Sequence, residues 1–362
     1  MAQRQFRSDD SVVWGERYGS GVDGALTISG NTTFSAANAG CSGTSGDTAL
    51  TLDAASSFAN NDLVVIHQSR GTGVGNWELN KISSGGGTTS LTMAYSLINT
   101  YTDSGSSQAQ IVKLFQYSSV TVNGSVTWTA PAWDENKGGI LAFLCTGTTT
   151  VTGTISASSK GHIKSSGTSR AASPSNANTG EGTVGASTTG TSANGNAGGG
   201  TGGFLDGGPG GGGGSYGTSG TAGGAGQGTG GSAGNTVGAA SLTTMMFGGS
   251  GAGGKGEANA GSGAGGGDGT NGGGIVLIIS PIITATGSIV SGTTNGGNGY
   301  VSGTEGSGGG GSGAGGSLLF KGQNITLGSS IVTATGGTGG TSGGVDSGAG
   351  GNGGSGRIHV DY

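Results

Sequence analysis

Gly273-Gly274-Ile275-Val276-Leu277-Ile278-Ile279, followed by Gly287-Ser288-Ile289-Val290, is the stretch from which the architecture can be read. A run of apolar β-branched residues bounded by Gly is a strand signal, and its lack of alternation marks a strand buried on both faces. The same pairing recurs. Gly138-Gly139-Ile140-Leu141-Ala142-Phe143-Leu144 leads to Gly153-Thr154-Ile155-Ser156-Ala157, and Gly315-Gly316-Ser317-Leu318-Leu319-Phe320 leads to Gly328-Ser329-Ser330-Ile331-Val332. A truncated copy, Ser355-Gly356-Arg357-Ile358-His359-Val360, closes the repeat series. Copies begin at 138, 273, 315 and 355, so the last two intervals are about 40 residues and the first about 135. Repetition at this spacing implies stacking, in which each unit buries its face on the next.

Between the copies lies glycine. Only 20 of the 92 glycines precede residue 161, and 72 fall in the last 202 residues. Gly has no side chain to bury and loses the most backbone freedom on ordering, so such tracts fold only where bare backbone is useful. Gly336-Gly337-Thr338-Gly339-Gly340-Thr341 and Gly350-Gly351-Asn352-Gly353-Gly354-Ser355 have GGX spacing. In a threefold polyproline-II-type chain, that spacing puts every side chain on one ridge and leaves two faces bare for neighbouring backbones. Collagen is excluded by four prolines and the absence of a sustained G-X-Y period. Disorder fits poorly with 9% charged residues and with the apolar strands between the tracts.

The expected fold is all-β with almost no helix: an N-terminal β domain, then stacked strand repeats carrying polyglycine-II-like layers. The boundaries read as an arm over 1–23, a β domain for attachment or assembly over 24–137, a first repeat over 138–170, a long glycine-rich excursion over 171–272, and further repeats over 273–362. Within the β domain, Val120 to Trp128 reads as a hairpin around Asn123-Gly124, a strong short turn signal. Cys41 and Cys145, far apart in the chain, read as two buried free thiols rather than one bridge.

A net charge of −5 without any Lys/Arg run argues against nucleic acid. No apolar run is long enough to insert in a membrane, and no secretory h-region is visible, which suits a particle assembled in the cytoplasm and released by lysis, or equally a protein exported by a signal read elsewhere or from a leader absent from this sequence. Gly249 to Lys255 fits the skeleton of a phosphate-binding loop, but Gly256 stands where the Mg²⁺-binding hydroxyl belongs, so chance explains the match. His67, His162 and His359 have no metal-ligand spacing, and no metal or cofactor is expected. Asp134 and Glu135 are a carboxylate pair of the kind polysaccharide-cleaving fibres use, but their turn setting reads as solvated. The chain therefore reads as non-enzymatic.

Binding is better supported. Large side chains punctuate the glycine tracts at Phe204 and Leu205, Tyr216, Met245-Met246-Phe247, Tyr300 and Val345. Tyr216 and Tyr300 read as displayed at loop tips, since rigid aromatics in a Gly/Ser setting make adaptable recognition surfaces. For Met245 to Phe247, plugging gaps beneath the glycine layers is an equal alternative.

Glycine-rich tracts separated by short variable segments, on a β-rich attachment part, resemble the tip adhesins of T-even-like phage long tail fibres. The resemblance is one of pattern over roughly residues 160–362, and the N-terminal β region is larger than the attachment part of those adhesins. It implies a polyglycine-II lattice in a virion or extracellular protein, with loops that bind a host cell-surface receptor, an outer-membrane protein or a glycan. It also implies partners among other fibre or virion proteins. The alternatives are a filament subunit assembled through its glycine layers and, more weakly, a polysaccharide-degrading tailspike.

Overall fold

Ile140, Ile275, Ser317 and Arg357, which open the strands of the four sequence repeats, lie side by side in register in adjacent parallel strands. Each repeat is thus one coil of a parallel β-solenoid. The computed structural model describes residues 17–55, 57–168, 177–202, 207–256, 265–302 and 305–362, and among them there is no helix.

The first coil contributes β1 (Ala25–Ile28) and β2 (Thr32–Thr33). The chain then leaves the solenoid for β3 (Asn38–Ser42), β4 (Ala49–Leu52), β5 (Leu63–Arg70), β6 (Trp77–Ser84), β7 (Ser90–Met93) and the long β8 (Gln108–Tyr117). These six strands pair antiparallel in the cyclic order β8-β3-β4-β7-β6-β5-β8 and close a barrel. Closure leaves the barrel no sheet edge, and its interior holds Leu50, Val64, Ile66, Ile82, Leu91 and Ile111. The end of β8 re-enters the solenoid and is followed by β9 (Ser119–Val122) and β10 (Thr127–Thr129). Segment 24–137 therefore supplies two bodies, because β8 is shared between them. Residues 1–16 of the expected arm lie outside the described residues; after them, the Asp23 amide donates to the Gln116 carbonyl and ties the chain to β8.

The next coils are β11 (Ile140–Cys145), β12 (Thr148–Val151) and β13 (Thr154–Ser156), then β14 (Ile275–Ile279), β15 (Ile282–Ala285) and β16 (Ser288–Val290). After a small hairpin of β17 (Val301–Ser302) and β18 (Glu305–Gly306) come β19 (Ser317–Lys321), β20 (Asn324–Leu327), β21 (Val332–Thr333) and the closing β22 (Arg357–Asp361). Three walls result: β1-β9-β12-β15-β20, β2-β10-β13-β16-β21, and β8-β11-β14-β19-β22. On the first wall Ile28, Val122, Val151, Ala285 and Leu327 form one column facing inward, while Thr27, Thr121, Thr150, Thr284 and Thr326 form the adjacent outer column. The strand period of two makes that division. Asn123-Gly124 is a corner between two walls, not a hairpin: β9 and β10 lie in different sheets and each finds parallel partners. Both cysteines are buried and free. Leu277 is fully buried between Ala142 and Leu319 in the third wall. Leu277→Ala is expected to cost about 2–5 kcal/mol, read as a loss of unfolding free energy in urea.

The glycine tracts leave the solenoid after β13, β16 and β21 and return before β14, β19 and β22, running back and forth side by side. Tract 207–217 shows how they pack. Gly208, Gly211 and Gly214 donate to the carbonyls of Gly306, Gly309 and Ser312; Gly210 and Gly213 to those of Gly224 and Thr221; Gly212 and Ser215 to those of Gly199 and Asn196. Its own carbonyls accept from three further tracts: Gly212 from Ala252, Gly213 from Gly234, and Gly214 from Gly354. Bonds to any one neighbour recur every three residues, as a chain with three residues per turn requires. Six neighbours surround the tract, and a Cβ at Gly211, Gly212 or Gly213 would lie 2.2, 1.9 or 2.0 Å from a neighbour's carbonyl oxygen. The GGX tracts instead lie at the margin. Thr338 and Thr341 are exposed there, and their amides, lacking a neighbouring backbone, are capped by the Oδ1 atoms of Asn295 and Asn298 at 3.0 Å each.

Candidate functional site

Because tracts alternate in direction, their turns gather at two ends of the lattice, roughly 30 Å apart for a ten-residue tract rising about 3.1 Å per residue. Hydrogen bonds identify the end away from the solenoid. Gly208 donates to Gly306, Gly348 to Gly208, Gln227 to Gly207, Gly308 to Lys255, Thr168 to Gly254 and Gly202 to Thr229. Outgoing tracts therefore finish near residues 168, 202, 225, 256, 300 and 343, all at this end. Six outgoing tracts, as far as they are described, finish at one tip.

Tyr300 and Val345 stand there. Tyr300 and the adjoining Val301 are 54% and 57% exposed, and Val345 is 71% exposed. They belong to neighbouring turns: the Tyr300 amide donates to Ser307 Oγ at 2.6 Å, Ser307 donates back to the Tyr300 carbonyl, and Gly343 donates to the Ser307 carbonyl. Val345 precedes Asp346, whose φ of 64° holds the turn in the left-handed region. The Asp346 carboxylate accepts from Gln227 Nε2 at 3.3 Å, tying a third turn to the patch. Gln227 carried no sequence signal, being one polar residue in a polar tract. Phe204 and Leu205 lie outside the described residues, in the sequence interval between Gly202 and Gly207.

Tyr216 and Met245 to Phe247 are at the opposite end, inside the molecule. Tyr216 is fully buried, its hydroxyl 2.8 Å from Ser317 Oγ and accepting from the Met246 amide, with the Arg357 guanidinium 5.4 Å above its ring. It is not displayed. It ends a tract where lattice meets solenoid, so its large ring fills the step between bare backbone and the third wall. Met245, Met246 and Phe247 likewise plug the junction with the barrel. The Met245 amide donates to the Gly75 carbonyl, and the Phe247 ring packs on Trp133, His162 and His67 at 5.3, 5.4 and 5.8 Å. Flanking glycines suggested display for Tyr216, but Gly214 before it is itself interior; for Met245 to Phe247 the gap-filling alternative is the arrangement found.

In 249–255 the amides of Gly249, Gly251, Ala252, Gly254 and Lys255 all donate to neighbouring carbonyls, leaving these donors engaged rather than turned to a phosphate. Asp134 Oδ1 caps its own turn by accepting from the amides of Asn136 and Lys137, and Glu135 is exposed with φ 78°. Among the described residues no group of three His, Cys, Asp or Glu could hold a metal ion. No helix of the described residues is long and apolar enough to cross a membrane.

No family model matches the chain, and no curated protein matches it. Among solved structures it is matched to the tailspike protein gp49 from Pseudomonas phage LKA1, at 10% identity and a TM-score of 0.20. The match covers 37% of this chain and 27% of the tailspike's length.

Proposed function

We propose that the chain is a non-enzymatic, virion-borne adhesin of the tail-fibre type, binding a host cell-surface receptor through the tip of its glycine lattice. The observation that carries this reading is the set of exposed apolar side chains Tyr300, Val301 and Val345, on neighbouring segments at the end where six outgoing tracts finish. A lattice of bare backbone looks alike everywhere, so recognition has to reside in its turns. The receptor is an outer-membrane protein or a surface glycan, and the barrel with the first coils is the part that joins other fibre or virion proteins.

Tyr300→Ala combined with Val345→Ser is expected to weaken binding to host cells about thirtyfold, the effect of losing a hot spot worth about 2 kcal/mol. The melting temperature should hold. Tyr216→Ala is expected to do the reverse, lowering the melting temperature through a cavity beneath the lattice. Cell-binding competition between folded variants measures both, and full binding by the tip variant would refute the site.

One observation favours the filament reading as the second choice. β22 is the outer strand of its wall, and Ile358 on it and Tyr362 beside it are 42% and 74% exposed. Negative-stain images showing polymers that Ile358→Lys converts to single particles would establish it.

A further inference from the structure

The plug of Met245 to Phe247 sits on a buried polar hub that uses four side chains of the barrel, one of the solenoid and two of the lattice. From the barrel come His67, Ser69 and Arg70 on β5 and Gln110 on β8; Trp133 lies in the solenoid connection between β10 and β11; His162 and Glu181 belong to the lattice. His67, Gln110 and His162 are fully buried, Glu181 is 1% exposed and Arg70 4%.

The hydrogen bonds assign the proton positions. Met245 O can only accept, so His67 Nε2, 2.8 Å away, carries the hydrogen. Gln110 Nε2 donates to Ser69 Oγ at 2.8 Å, so the Ser69 hydroxyl is free to donate to the bare His67 Nδ1 at 2.9 Å. Gln110 is held in turn by a paired bond with the Gly138 backbone. His162 Nε2 donates to the Ser69 carbonyl at 3.2 Å, while its Nδ1 makes no hydrogen bond. Glu181 accepts from Arg70, from Trp133 Nε1 and from the Ile163 amide. With both rings neutral the hub holds one cation and one anion, and its charge is zero.

We propose that this hub is an acid-operated joint: protonation of His67 and His162 undocks the barrel from the glycine lattice while both bodies stay folded. Two new positive charges would face Arg70 with Glu181 as the single carboxylate of the hub, in a buried, low-dielectric site that screens them poorly. Burial holds His67 down at about 4, with the Met245 carbonyl opposing and His162 adding to the effect. Burial also lowers His162; Glu181 and the carbonyls of Ser69 and Gly248 pull it back, and Arg70 pushes the same way as burial. A depressed histidine contributes stability that is complete above its ordinary value near 6.5 and is lost as pH falls toward 4. The two bodies do not share this liability. The lattice coheres chiefly through backbone hydrogen bonds that do not titrate; at its Asp268, burial is outweighed by Lys164 and the Gly167 amide, which hold the carboxyl below its ordinary value and so below the range from pH 7 to 4.5. In the barrel, burial raises Glu78, and burial followed by the Asp53 charge raises Asp103 to about 6. These groups favour the fold when protonated, so the same acid shift strengthens the barrel.

Two amides cross the joint, Met245 to the Gly75 carbonyl and Gly71 to the Thr183 carbonyl. Between pH 7 and pH 4.5 their hydrogen-exchange protection factors are expected to fall by roughly 10²-fold, the linkage effect of a histidine moved from about 6.5 to about 4. Protection at Gly211 in the lattice and Val65 in the barrel should hold. His67→Gln with His162→Gln, which keeps donors but cannot titrate, should abolish the pH dependence at Met245 and Gly71. Unchanged wild-type protection at those two amides would overturn the joint, a result that needs no variant. So would a parallel fall at Gly211, or a double variant that responds to acid as the wild type does.

Discussion

Gly212→Ala is expected to unfold the glycine lattice, at a cost above about 4 kcal/mol, in the exceptional tail of single substitutions. Overpacking a filled core ordinarily costs about 1–3 kcal/mol, because side chains can shift. Here the obstacle is backbone. The new Cβ would lie 1.9 Å from the Ser232 carbonyl oxygen, which already accepts from the Gly199 amide. Moving it breaks that bond, and the tracts behind it are equally filled. Gly351→Val should be as damaging, since a Cβ there lies 1.9 Å from the Thr221 oxygen. Thr338→Val, on the exposed ridge, should stay within about 0.5 kcal/mol. Urea unfolding of the three variants decides the matter. A Gly212→Ala protein as stable as Thr338→Val would mean that the tracts are loose.

Arg70→Met or Glu181→Gln alone is expected to cost about 3–5 kcal/mol, because each leaves the partner's charge buried and uncompensated. The pair joins barrel to lattice, with side chains 5% and 1% exposed. Glu181→Gln keeps an acceptor for Trp133 and the Ile163 amide but strands the Arg70 guanidinium. The combined variant should recover much of the loss, since neither charge then remains, and a double-mutant cycle should show strong coupling. Additive losses would show that the ion pair itself contributes little and that packing around it dominates.

Strand repeats were legible because continuous apolar runs at Ile140, Ile275 and Ser317 demand burial on both faces, and their recurrence in four copies, the last three about 40 residues apart, demands stacking. Two coils escaped notice, the first with β1 and β2 and the second with β9 and β10. The Val120 to Trp128 segment was read as a hairpin, since the first strand of its coil is the tail of β8, a barrel strand, and no Gly-Gly pair announces it. The candidate site was half legible. Tyr300 and Val345 fall at the tip, but Tyr216, with the same Gly-rich flanks, falls in the core. Flanking composition reports that backbones approach closely; it does not report at which end of a tract a side chain stands. The GGX spacing marked the lattice margin, where Thr338 and Thr341 are exposed and Asn295 and Asn298 replace a missing neighbour. Glycine without that relief marked the interior.

Local chemistry, then, was written in the sequence: which residues form strands, which backbone must stay bare, and how often the pattern returns. These depend on period and on the absence of Cβ atoms, both of which are properties of neighbouring residues in the chain. Direction was not. Whether a tract runs toward the solenoid or away from it depends on every turn before it, and that count places Tyr216 beside Ser317 and Tyr300 in solvent. The hub is the extreme case, since His67 meets Met245 and Arg70 meets Glu181 across more than 100 residues. Such pairings arise only when the barrel, the solenoid and the lattice close on one another, because burial is what turns isolated polar residues into a single charge-balanced site.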